Sequence, residues 1–392
     1  MKKLTAATLA LCIATLTGCS SSDDEEELVL PEIVNQFETD IIWQESIGDG
    51  VEHYFSRLTP AVHNDVVFVA NREGEVEALS LENGDTLWQT DVRENPAFWP
   101  WESTESAKLS GGILQAYGKI FVGSEHGYLT ALDRETGEIV WRKTMPGEVL
   151  SKPAAGDGLV FVNLGSGKLL AVHPDTGEER WRFEQEVPPL TLRGQSSPTV
   201  ANGGVLLGLE TGRLSVLISE NGYSAWSAEI ATPKGASEFE RLVDVDTQAL
   251  ISGPYAYAIA YNGNLAAVDI RSGNVVWKRE YSSYRDLSMD SQHIYVVDSD
   301  GVIYALDKSS GIERWSQPAL RGWYLTGPTI AGNYIALGDQ EGNLHWLNKE
   351  TGELVSREDF DSSGFFVEPV VAGDKLILYT RDGEVSAVKI PD

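Results

Sequence analysis

One grammatical unit recurs through this chain and limits what it can fold into. A Gly opens a hydrophobic run, a second Gly follows ten residues later, and a Trp stands four residues beyond that. The opening glycines are Gly74, Gly127, Gly167, Gly212, Gly263, Gly301, Gly342 and Gly383. The first seven are answered by Gly84, Gly137, Gly177, Gly222, Gly273, Gly311 and Gly352. Trp88, Trp141, Trp181, Trp226, Trp277 and Trp315 complete six units, and Ser356 takes the place of Trp in the seventh. Spacing inside the unit is constant, whereas spacing between units runs from 38 to 53 residues. That combination marks a repeat architecture with insertions in its connecting loops.

Each unit reads as short strands. "KIFVGS", "GYLTALD" and "EIVWRK" are rich in branched and aromatic residues and are punctuated by Gly, Asn and Asp. A further short run, such as "LSKPAAGDG" or "LTGPTIAGN", precedes each of them. Four antiparallel strands per unit and eight units make an all-β, eight-bladed β-propeller. The Thr-Gly and Asn-Gly pairs are then hairpin turns that need positive φ, not a phosphate cradle. The Trp falls on the outermost strand of its blade, where it is expected to pack against the neighbouring blade. The eighth unit stops at "EVSAVKIPD" and lacks an outer strand, while "DIIWQES" near the start has Trp43 in the matching place. Residues 41–46 are therefore expected to close the ring, and the propeller to span 41–392. Closure removes sheet edges that would otherwise template aggregation.

Ahead of the repeats, "MKK" followed by "LTAATLALCIATL" has the form of a signal peptide, too short in its apolar run to span a bilayer. The "LTGC" that ends at Cys19 resembles the lipobox of bacterial lipoproteins. The resemblance implies a signal peptide over 1–18, lipid attachment at Cys19 and, with Ser20 following, an outer-membrane destination. Residues 19–40 begin as an acidic, Ser-rich run and are expected to form a tether. The whole chain carries 30 basic and 59 acidic residues. Such a balance disfavours nucleic acid and anionic lipid surfaces as partners.

Motifs for catalysis are missing. The sequence has no Gly-x-Ser-x-Gly elbow and no His-Glu-x-x-His, and its six histidines lack ligand spacing. "DSDG" at Asp298–Gly301 has a faint likeness to a calcium loop but sits at a hairpin turn like those of the other units. No catalytic residue, metal or cofactor is expected.

Where the chain inserts extra residues is more informative. Three long connectors, 91–106, 184–194 and 229–246, fall between blades, and the last two flank one blade, so their tips should meet. Leu190 and Leu192 alternate beside Arg193 in one, and Asp244 and Asp246 alternate in the other. Two readings of these five residues stand side by side. They form a protein-binding patch of apolar anchors with flanking charge, or the leucines tuck under the loop while Arg193 pairs with Asp244 or Asp246 to brace it. Phe98, Trp99 and Trp101 form a second tip, either folded over its own blade or in contact with a partner or client chain.

The Thr-Gly-x-x-x-Trp unit resembles the repeats of pyrroloquinoline-quinone (PQQ) dehydrogenases, which implies a quinone-dependent dehydrogenase as the alternative function. Those enzymes use a calcium-bound cofactor pocket, often with paired cysteines, and Cys19 is the only cysteine beyond the signal peptide here. A second resemblance covers nearly the whole mature chain. The Cys19 signal, the acidic tether, the eight units, "LTLRGQSSPT" and "RLVDVDT" together resemble the BamB family, lipoproteins of the machinery that assembles β-barrels in outer membranes. This resemblance implies a non-enzymatic scaffold. Leu190, Leu192, Arg193, Asp244 and Asp246 would dock a POTRA domain of the barrel subunit BamA, with unfolded outer-membrane proteins as further clients.

Overall fold

The computed structural model describes residues 28–94 and 105–391. The chain divides into Met1–Leu30 and Pro31–Asp392. In the first unit only residues 28–30 are described, and they have no regular secondary structure.

The second unit is an eight-bladed propeller of four-stranded antiparallel sheets. Blade 1 shows the plan: strands Ala61–His63, Val66–Ala70, Glu75–Ser80 and Thr86–Asp91 pair in chain order. The next six blades repeat it over 114–144, 154–184, 199–229, 250–279, 288–317 and 329–359. First strands are two or three residues long and lie innermost. The first strand of blade 1 approaches those of blades 2 and 8, which closes the circle. Second and third strands are buried almost continuously, because neighbouring blades cover both of their faces. Only the fourth strand is largely exposed.

Blade 8 is completed as the sequence suggested. Ile41–Ser46 pairs antiparallel with Glu384–Lys389, placing Trp43 opposite Ala387. Trp43 then behaves like the other tryptophans. Its indole N–H donates to Leu81 O of blade 1 at 3.0 Å, and its ring lies against Gly84. Trp88, Trp141, Trp181, Trp226 and Trp315 likewise each donate to a backbone carbonyl of the next blade, at 2.7–3.0 Å. The second Gly of the unit has two reasons to be Gly. At Gly137 φ is +73°, and a Cβ would stand 2.5 Å from the Trp88 ring. The repeat is therefore a clasp between blades: Trp on one sheet, and a bare hairpin on the next that lets the ring lie flat on backbone. Trp277 lies on Gly311 in the same way, but its N–H has no hydrogen bond among the described residues. One opening glycine departs from its expected conformation. Asn262, at φ +48°, takes the left-handed position of that turn, and Gly263 does not.

The seventh blade inverts the pattern. In the other blades the residue facing the Trp across the outer strand pair is small: Ala78, Ala131, Ala171, Val216, Ala267, Ala305 or Ala387. Here Ser356 faces Trp346, which is fully buried. Phe37 fills the remaining space, edge-on to Tyr334 at 5.1 Å and to Trp346 at 5.9 Å. The chain that delivers Phe37 is pinned. Gln36 N donates to Val355 O at 2.8 Å, Ser356 Oγ donates to Phe37 O at 2.8 Å, and the Trp346 indole donates to Thr39 Oγ1 at 3.1 Å. Residues 31–40 were expected to belong to the tether at 19–40. They are instead docked on blade 7, because that blade lacks its own clasp residue.

Candidate functional site

In a four-stranded antiparallel blade, the turn between strands two and three and the link to the next blade emerge at the same end. The Trp–Gly clasps sit with the opposite turns, between strands three and four. The loop end gathers the connectors 185–198 and 230–249 on either side of blade 4, and their tips meet as expected.

The Asp244 carboxylate accepts the Leu192 N–H at 2.5 Å. Ser196 Oγ donates to Thr247 O at 2.9 Å, and Arg57 Nη1 donates to both Gln195 O (3.1 Å) and Asp246 O (2.9 Å). Arg57 therefore ties the two connectors from blade 1, on the far side of the channel. Leu190 and Leu192 are half-buried and Arg193 is exposed.

Asp244 and Asp246 do not lie on an exposed rim. They are 1% and 3% exposed, and Val243 and Val245 between and beside them are buried as well. The reading as a charged rim patch would leave them at the surface, but the segment passes between blades and is covered on both faces. Nor does Arg193 pair with either aspartate. It reaches Glu125 of blade 2 at 3.0 Å. Glu125 also holds Arg72 through two bonds, at 2.6 and 3.1 Å, and Arg72 sits 4.0 Å over the Tyr54 ring. Burial would lift the Glu125 carboxyl, but hydrogen bonds and charge from Arg72 and Arg193 hold it below its ordinary value. Sequence reasoning missed Arg57, Arg72 and Glu125. Each lies far along the chain from its partner, and no local pattern marks them.

Burial dominates the electrostatics beneath the loop. It pushes the Asp244 carboxyl up to about 6, against the Leu192 N–H and with help from Glu210. Burial also pushes Asp246 up to about 7, opposed by Arg57. Asp244 Oδ1 and Glu210 Oε2 are buried without a hydrogen-bond partner among the described residues. In both aspartates the folded state keeps a proton that the unfolded chain releases near pH 4. Their contribution favours the fold in acid and turns against it as pH rises from about 4 to 6 for Asp244, and to 7 for Asp246. Asp244→Asn keeps an acceptor for Leu192 N–H and removes the charge. It is expected to stabilise the protein by about 1–3 kcal/mol at pH 8, and to lose that advantage by pH 4, in urea unfolding at both values.

Leu192 and Arg193 line the mouth of a cavity of about 300 Å³ at the channel entrance, together with Arg57 and Asp246. Among the described residues no group of three or more His, Cys, Asp or Glu could hold a metal ion. Asp298 folds its own turn, accepting from Asp300 N and Val302 N at 2.9 and 2.8 Å. Cys19, Phe98, Trp99 and Trp101 lie outside the described residues.

The family model described as "Outer membrane protein assembly factor BamB" matches residues 99–317 and 320–392. A protein of that description from Alteromonas naphthalenivorans is 45% identical over 97% of this chain and 95% of its own length. The one from Escherichia coli K12 is 41% identical over 96% of this chain and 97% of its own length. Among solved structures, BamB from Moraxella catarrhalis superposes with a TM-score of 0.79 at 24% identity, covering 90% of this chain and all of that one. A quinohemoprotein alcohol dehydrogenase from Comamonas testosteroni superposes at 0.73 with 14% identity, over 90% of this chain and 76% of its own. At such identities these superpositions speak for the fold alone. With a matching family model over most of its length and relatives above 40% identity from end to end, the chain belongs to the BamB family of outer membrane protein assembly factors.

Proposed function

We propose that this chain is a non-enzymatic scaffold for outer membrane protein assembly. Lipid on Cys19 anchors it to the periplasmic face of the outer membrane, and its loop end docks a POTRA domain of BamA. The observation that carries this reading is the Leu190–Arg193 loop. Buried Asp244 fixes the loop's backbone, its leucines are only half covered, and Arg193 is 55% exposed. Leu190, Leu192 and Arg193 are the contact residues. Asp244 and Asp246 shape the loop from beneath and do not touch the partner. The Arg193–Glu125 pair is open to solvent on the Arg193 side, so it contributes about 0–1 kcal/mol. Glu125 keeps Arg72 if Arg193 leaves. Arg193 is therefore free to exchange Glu125 for a carboxylate on the partner.

The test is co-purification with BamA from solubilised outer membranes. Leu192→Ala combined with Arg193→Ala is expected to abolish recovery of BamA while the thermal midpoint stays at the wild-type value. BamA recovered at wild-type yield on the folded double variant would refute the docking assignment.

A further inference from the structure

The channel cavity runs inward from Leu192 and Arg193 to side chains that docking does not use. Repeat symmetry explains what lines it. The residue two places ahead of each innermost strand faces the channel in turn. Six of these eight positions, Thr59, Lys152, Ser197, Gln248, Asp286 and Glu368, line the cavity. The other two are Gly112 and Gly327, which add no side chain.

Charges of both signs meet there without pairing. Arg57, Lys152 and Arg285 face Asp246, Asp286 and Glu368, and no ion pair within 4.0 Å joins any of them among the described residues. Lys152 has no hydrogen-bond partner among the described residues. Burial works against its charge, and only the more distant Glu368 and Asp286 support it. Arg285 has its Nε buried without a partner. Burial, then Asp286, raises Glu368, and Asp246 is raised as well. Half-buried cations with no carboxylate within ion-pair reach are costly. In a chain of net charge −29 the cavity lining gathers four cations, Arg57, Lys152, Arg193 and Arg285, against three carboxyls, with the Tyr261, Tyr284 and Phe366 rings beside them.

We propose that the channel is a binding site for a carboxylate-bearing organic anion, seated against Lys152, Arg285 and Arg57. Two sources supply that chemistry: a free small dicarboxylate, or an acidic side chain of a polypeptide docked over the mouth. The second source rests on the docking function proposed above. Calorimetric titration of the full chain with glutarate, and separately with an acidic tetrapeptide, distinguishes them. Binding of glutarate assigns a free ligand, and binding of the peptide alone assigns a docked acidic segment. Lys152→Gln is expected to weaken whichever probe binds by about tenfold or more. Glu368→Gln removes a facing negative charge and is expected to tighten binding severalfold at pH 8. A misfolded variant does not give that gain. Failure of both probes to bind, wild-type affinity in Lys152→Gln, or weaker binding in Glu368→Gln overturns the proposal. The glutarate arm contains no partner protein, so its outcome stands apart from the BamA co-purification.

Discussion

A chain that begins at Ile47 is expected to fail to hold a closed ring. Such a truncation removes the outer strand of blade 8 and the Phe37 plug of blade 7 together. Trp43 is 7% exposed and bonded to Leu81, so its loss alone costs about 3–5 kcal/mol. The ladder to Glu384–Lys389 goes with it and leaves that strand as a bare edge. Phe37 no longer covers Trp346. Against a total stability of about 5–15 kcal/mol for an ordinary domain, the combined loss is most of what is available. Urea unfolding should show a large fall in midpoint, and limited proteolysis should cut first in blade 8. Trp43→Ala in the full chain isolates the clasp, with an expected loss of about 3–5 kcal/mol. A truncated protein that unfolds at the wild-type midpoint would remove the assigned role of the N-terminal strand.

The second large effect is expected at Gly342. Its φ is +90°, and a Cβ there would lie 1.7 Å from Asp361 O and 2.5 Å from Asp361 C. Both are backbone atoms, so no rotamer change relieves the clash. Asp361 is also bound to its place, since Gly364 N donates to its carbonyl. Gly342→Ala must therefore move the link between blades 7 and 8, at about 3 kcal/mol or more. Gly118 supplies the control. Its φ is +70°, yet nothing lies within 4 Å of a built Cβ. Gly118→Ala should cost only the left-handed strain, about 1 kcal/mol. Chemical unfolding of the two variants side by side reads the difference. Equal losses would mean that conformational strain, and not the approach of Asp361, requires Gly342.

The ring itself was legible because its physics is local and repeated. A Gly, a second Gly ten residues on and a Trp four beyond that recur often enough to reveal a packing rule, and Trp43 betrays the missing strand by obeying it. The plug was harder to see. Phe37 belongs to no repeat, and its need arises from Ser356. The available signal was Trp346, a large residue where seven other blades carry Ala or Val. The loop site was legible in part. That the two connectors meet followed from chain order, since both border blade 4. That both aspartates are buried did not, because alternation in sequence tells one face from the other and not how many faces are covered. The Arg193–Glu125 pair spans 68 residues and joins blade 2 to the link ahead of blade 4. Only the curvature of the closed ring brings them together.

The seam between Trp43 and Ala387 sets an order of events in time. The first segment of the ring to emerge during synthesis pairs with the last, so blade 8 cannot be completed until the whole ring has been made. Contacts at such separation form late and slowly. The leading strand stays unspent until the trailing strand arrives, and for that interval it is an open hook for whatever sheet edge passes by.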